Sequence, residues 1–94
     1  MNNTLWYPYA QMENLERNYK VLSGKGAYIR VENIKTKETK DLLDGVSSWW
    51  CAVHGYNNEE INEAIKGQLD KIAHVMLGGL TPEWALSLAD KLVE

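Results

Sequence analysis

The sequence predicts an α+β chain: an N-terminal arm, a small antiparallel β-meander, then two α-helices. Three observations carry this. Between Tyr19 and Val46 apolar and polar residues alternate with a period of two. From Asn57 the spacing becomes helical, with Ile61, Ala64, Ile65, Leu69, Ile72, Ala73 and Met76 on one stripe. Thr81-Pro82-Glu83 then opens a second helix whose stripe is Ala85, Leu86, Leu88, Ala89, Leu92 and Val93. The expected divisions are 1–18 for the arm, 19–56 for the meander and an aromatic segment behind it, and 57–94 for the helices.

In the arm, Pro8 fixes its own φ and pushes Tyr7 toward an extended conformation, with a short helical turn to follow near Gln11–Arg17. Tyr19-Lys20-Val21-Leu22 reads as a first strand, closed by Ser23-Gly24-Lys25-Gly26. In Tyr28–Glu32, Ile29 and Val31 share one face, Arg30 and Glu32 the other. Lys35–Thr39 is polar enough for a solvated hairpin loop, Asp41-Leu42-Leu43 returns, and Asp44-Gly45 ends the sheet.

Asn57 is placed to cap the first helix, with Glu60 as a capping-box partner. Glu59, Glu63, Lys66 and Asp70 make a solvated face. Gly67 inside this helix costs about 1 kcal/mol relative to Ala, so close packing is expected there. Gly78-Gly79 should stop it. Thr81 is the expected N-cap of the second helix and Pro82 its first residue. That helix reaches Glu94 with no Gly, Asn or Pro to end it. A domain this small buries only about 60% of its unfolded surface, and both helical stripes have little to pack on, so a longer chain or a docking partner is expected.

Composition narrows the function. At 45% hydrophobic and 24% charged, the 94 residues have ordinary globular composition, which excludes disorder through low hydrophobicity. Ten Lys+Arg against 13 Asp+Glu give a net charge of −3, with no basic excess to grip nucleic acid. One cysteine forms no internal disulfide, no signal peptide is visible, and no apolar run nears the roughly 20 residues a membrane span needs. A cytoplasmic chain with no membrane and no nucleic-acid partner is the expectation. Four Trp and five Tyr stand beside no Phe, and aromatics with a polar handle concentrate where an apolar surface also recognises something.

Most candidate sites have simpler readings. Cys51 and His54 are three apart without a nucleophile signature, so Cys51 is expected as a small buried hydrophobe. His74 reads as a helix C-terminal residue favoured by the dipole, and two histidines twenty residues apart make no zinc site. Ser23-Gly24-Lys25-Gly26 lacks the spacing of a phosphate loop. Gly78-Gly79-Leu80-Thr81-Pro82 is a glycine turn feeding a helix N-terminus, most simply an interhelical turn. The densest segment is Asp44-Gly45-Val46-Ser47-Ser48-Trp49-Trp50. If it is extended, the adjacent indoles point to opposite faces, one to the core and one to a cleft, or both serve as packing anchors.

Taken in order, Trp6-Tyr7-Pro8-Tyr9, Asp44 to Trp50, His54-Gly55-Tyr56-Asn57 and His74 to Thr81 resemble one family. The chain is similar to the N-terminal part of class III, fold-type I, pyridoxal-phosphate aminotransferases, and in particular to the biotin-pathway branch that makes diaminopelargonate. Tyr7 departs from the commoner His before Pro-Tyr, and Asn58 from a usual His. The resemblance implies a homodimeric transaminase carrying an amino group, typically from S-adenosylmethionine, to 8-amino-7-oxononanoate. It implies that residues 19–56 include a substrate-contact segment, and that 57–94 lead into a large cofactor domain. By it, Trp49 and Tyr9 contact substrate, Tyr9 also stacks on the donor's adenine, Trp50 supports them, and the Gly78–Thr81 loop lies near the dimer interface. The cofactor lysine, the acid on the pyridine nitrogen and the carboxylate-binding arginine belong to a part beyond these residues, so no catalytic residue is expected here and the 94 residues alone should be inactive. Another class III ω-amino acid transaminase, or a free-standing aromatic-rich interaction module, are the alternatives.

Overall fold

The computed structural model describes residues 4–14 and 19–94. The turn expected in the arm is a short 3-10 turn at Met12–Asn14, beginning one residue after Gln11, and residues 15–17 of its expected span lie outside the described residues. Three antiparallel strands follow, β1 (Tyr19–Lys25), β2 (Tyr28–Asn33) and β3 (Thr39–Leu43), in the order β1-β2-β3.

β1 is longer than the sequence suggests. Ser23-Gly24-Lys25 continues the strand, pairing with Arg30, Ile29 and Tyr28, and a bulge between Val21 and Ser23 lets the ladder resume. The reversal falls on Gly26-Ala27, a two-residue hairpin loop in which Gly26 takes a φ of +58°. Gly24 is therefore not a turn glycine. It stands where a Cβ would meet Tyr56 Cβ at 2.9 Å.

The β2–β3 loop is held locally. Asn33 Oδ1 accepts the N–H groups of Lys35 (2.9 Å) and Thr36 (3.0 Å), an Asx-type turn. Ile29 and Val31 face the same side, as the alternation requires, beside Leu42. Val31, 2% exposed, is the one buried apolar residue among those described. On the other face Arg30 pairs with Asp41 at 3.2 Å, an exposed ion pair contributing at most about 1 kcal/mol.

After β3 the chain makes a single turn, α1 (Ser47–Trp50). The helical residues divide from what precedes them: Met1–Asn58 and Glu59–Glu94 are two compact units. The second contains α2 (Glu59–Lys71) and α3 (Glu83–Val93). Both are shifted from the expected bounds. Asn57 has a φ of +55°, unlike an N-cap, and α2 starts at Glu59, so Glu60 is its second residue and the expected capping box is out of register. At the other end α2 stops at Lys71, before Ala73 and Met76. The Ile72 N–H still donates to the Gln68 carbonyl (2.9 Å), while the Gln68 side-chain amide donates to the Ile72 carbonyl (3.0 Å) and satisfies one of the orphan acceptors of a helix end. His74 thus lies outside the helix. Pro82, with extended ψ of 144°, is the N-cap of α3 rather than its first residue, and its carbonyl accepts from Ala85 (3.1 Å). A Cβ on Gly67 would meet open space within this chain, not the close packing expected. Neither helix has a buried residue.

Candidate functional site

The aromatic segment is not extended. Ser47, Ser48, Trp49 and Trp50 have φ values of 49°, 45°, 55° and 87°, so α1 is a left-handed turn built without a glycine. Left-handed helical backbone costs about 1–2 kcal/mol per residue for side chains with a Cβ, so it persists only where its surroundings enforce it. The indoles therefore do not alternate across a strand, and the opposite-face expectation fails.

What enforces the turn is a set of polar contacts centred on Asp44. Its Oδ1 accepts the Val46 N–H (2.8 Å) and its Oδ2 the Ser48 N–H (2.8 Å). The Tyr56 hydroxyl donates to Oδ2 and is also hydrogen-bonded to the Ser48 hydroxyl. The turn's own backbone adds Trp49 N–H to the Val46 carbonyl (2.9 Å) and Ala52 N–H to the Ser47 carbonyl (3.0 Å). The Tyr56 hydroxyl, then the Val46 and Ser48 amides, hold the Asp44 carboxyl below its ordinary 3.8. The same hydrogen bond to Asp44 pushes the Tyr56 phenol above 10.0.

Tyr56 is in turn fixed to the sheet. Its N–H donates to the Gly26 carbonyl (2.8 Å) and its carbonyl accepts the Gly26 N–H (3.1 Å). Gly55, with a φ of +80°, lies so close that a Cβ there would stand 3.1 Å from the Gly26 oxygen. A small hollow of about 180 Å³ is lined here by Gly26, Asp44, Ser47, Ala52, Gly55 and Tyr56.

The turn presents Trp49 to the arm. The rings of Trp49 and Tyr9 meet edge to face, centroids 5.7 Å apart and planes at 87°, the favoured geometry of an aromatic pair. Tyr9 itself has a φ of +53° after Pro8. Both rings remain open: Tyr9 is 99% exposed and Trp49 54%. Two of the three residues singled out in the sequence are thus together, although forty positions apart. Trp50, 88% exposed, takes no part in the ring pair. Asp44 and Tyr56 were not singled out as functional. Asp44-Gly45 carries an Asx-turn signal, but nothing in the sequence says that Tyr56 returns to it.

The remaining candidates fall away. Cys51 is exposed, not buried, with its thiol directed at the Trp49 carbonyl (4.0 Å). Among the described residues no group of His, Cys, Asp and Glu could hold a metal ion. Within the second unit a hollow of about 450 Å³ is lined by Gln68, Lys71, Ile72 and Trp84. All eight lysines are exposed, whereas a Schiff-base lysine is activated by desolvation or a cationic neighbour. No helix among the described residues is long and apolar enough to cross a membrane.

The described residues thus present a three-strand meander with an exposed aromatic pair beside it. The family model of the class-III aminotransferases matches residues 11–94, and the chain belongs to that family. Its relatives are more particular. The adenosylmethionine-8-amino-7-oxononanoate aminotransferase of Buchnera aphidicola subsp. Acyrthosiphon pisum is 45% identical over 89 residues, covering 95% of this chain and 20% of that protein. The enzyme of the same name from Saccharomyces cerevisiae is 38% identical over 90 residues, 96% of this chain and 18% of that one. The crystal structure of the Methanocaldococcus jannaschii enzyme of that name superimposes with a TM-score of 0.78 at 39% identity, covering 97% of this chain and 20% of the other. The chain spans about a fifth of the length of these relatives.

Proposed function

We propose that this chain forms a substrate-binding wall in a fold-type I, pyridoxal-phosphate transaminase that moves an amino group, typically from S-adenosylmethionine, to 8-amino-7-oxononanoate, giving 7,8-diaminononanoate. The observation that carries the reading is the edge-to-face contact of Tyr9 and Trp49, open to solvent at the end of a strained turn. An amino-ketone with an aliphatic chain needs apolar walls, and a donor's adenine needs a flat π surface. Each aromatic contact of this kind is worth about 0.5–1.5 kcal/mol beyond area burial. Trp49 and Tyr9 supply these surfaces and Trp50 stands beside them. The intact enzyme is cytoplasmic and homodimeric in this reading, and residues 57–94 lead into its large domain.

Pyridoxal phosphate, when bound, acts as the electron sink for the transfer. The lysine that anchors it belongs to another part of the enzyme, so the 94 residues alone do not transaminate. Their part is to bind, orient and exclude water.

In the intact enzyme, Trp49→Ala lowers kcat/KM for 8-amino-7-oxononanoate by about tenfold or more, equivalent to about 1.4 kcal/mol. Unchanged kinetics would remove Trp49 from the site. An intact enzyme that aminates other ω-keto substrates and leaves 8-amino-7-oxononanoate untouched would favour the ω-amino acid transaminase reading instead. Membership of the aminotransferase family speaks against a free-standing interaction module.

A further inference from the structure

We infer that Asp44 and Tyr56 are positioning residues that set acceptor specificity, by holding the left-handed turn that carries Trp49. The inference rests on the reading of Trp49 as a substrate wall and names what fixes that wall.

Four consecutive residues with positive φ and no glycine do not keep that conformation by propensity. Beside the turn's own two backbone bonds, the side-chain bonds that hold them converge on one carboxylate and one phenol. Asp44 uses one oxygen on the amide that enters the turn, Val46, and the other on an amide inside it, Ser48. The Tyr56 hydroxyl ties that second oxygen and the Ser48 hydroxyl together. Tyr56 is anchored independently, through its paired backbone bonds to Gly26 and through the absence of a side chain at Gly24. A continuous path therefore runs from the β1–β2 hairpin through Tyr56 and Asp44 to Ser48, then to Trp49 and the Tyr9 ring. Neither Asp44 nor Tyr56 needs to touch substrate. Without the phenol oxygen the turn loses two of its ties and relaxes toward ordinary backbone, moving the indole.

The experiment uses the intact enzyme with 8-amino-7-oxononanoate as the varied substrate. Tyr56→Phe removes one oxygen and no packing. It raises the KM for the amino-ketone about tenfold or more, since a displacement of about 1 Å in a positioned group is enough for an effect on this scale. The kcat changes by less than about threefold, and on a Trp49→Ala background the same substitution adds less than about twofold. A fall in kcat at constant KM marks a merely structural role and overturns the inference. So does a Tyr56→Phe effect that persists in full when Trp49 is absent. If Trp49→Ala is costly and Tyr56→Phe leaves KM unchanged, the positioning role fails while the substrate-wall reading stands. If Trp49→Ala itself has no effect, that reading fails and takes the inference with it. Should Tyr56→Phe impair folding, Ser48→Ala cuts one of the phenol's two ties from the other side, with a smaller rise in KM of about threefold expected, and an unchanged KM there overturns the inference.

Discussion

Replacing Gly24 by alanine loads the turn's support without touching a polar group. Gly24 is in an extended strand, so alanine is conformationally admissible, and in an unhindered strand the change would add about 0.5–1 kcal/mol of stability. Here the new Cβ would stand 2.9 Å from Tyr56 Cβ and 3.1 Å from its Cγ. Carbon atoms in contact prefer about 3.5–4.0 Å, so the root of the Tyr56 side chain has to retreat by roughly half an ångström. The obstructing atoms are the root of the side chain and cannot swing aside. Overpacking of this kind typically costs about 1–3 kcal/mol, more than the gain, and the net expectation is a loss of about 1–2 kcal/mol. The displaced Tyr56 also slackens its hold on Asp44 and Ser48, so the acceptor KM rises alongside. Gly45→Ala is the control: its Cβ meets nothing within 4 Å, and stability stays within about 0.5 kcal/mol. Denaturant titration and acceptor kinetics of the two variants in the intact enzyme decide the matter. Gly24→Ala as stable as Gly45→Ala, with an unchanged KM, would refute the steric reasoning.

Other expectations follow from the same geometry. Asp44, depressed below 3.8, contributes above that value and loses its hold as pH falls through its folded value; Tyr56, raised above 10.0, contributes below that and loses it as pH rises through its own. The ratio of acceptor KM between Tyr56→Phe and wild type is therefore flat from about pH 5 to pH 9, and a titration step inside that window would refute the assignment. Trp50→Ala lowers kcat/KM less than Trp49→Ala does, because Trp50 is outside the ring pair; equal losses in parallel assays would contradict this. Gly67→Ala stabilises the intact enzyme by about 1 kcal/mol if α2 keeps open space there, and a loss in thermal denaturation would show another part of the protein pressed against it.

The sheet was legible because burial and period coincide: Ile29 and Val31 sit on the covered side of β2, and the polar run after Asn33 is the loop. Gly24 misled for a physical reason. A glycine amid Ser, Lys and Gly reads as a turn, yet it is small to admit a tyrosine from thirty-two residues on. α2 was legible in existence but not in extent, since the apolar spacing through Ile72 and Met76 continues after hydrogen bonding to Gln68 has closed the helix. Within its own four residues the left-handed turn had no signal. Ser-Ser-Trp-Trp contains no residue that favours positive φ, and the conformation is imposed from Asp44 and Tyr56. Tyr9 and Trp49 could be joined only through likeness to a family, because no periodicity connects an arm to a turn.

The bridge between Gly26 and Tyr56 gives the tip of the first hairpin a reach beyond its own loop. Under the proposed function, reshaping that tip by insertion or by altering Ala27 would tilt the tyrosine and, through it, the indole, changing which ketones are admitted with no ring substituted. On the same reading, acceptor range would then answer to the shape of a hairpin tip and not only to the rings that touch the ketone.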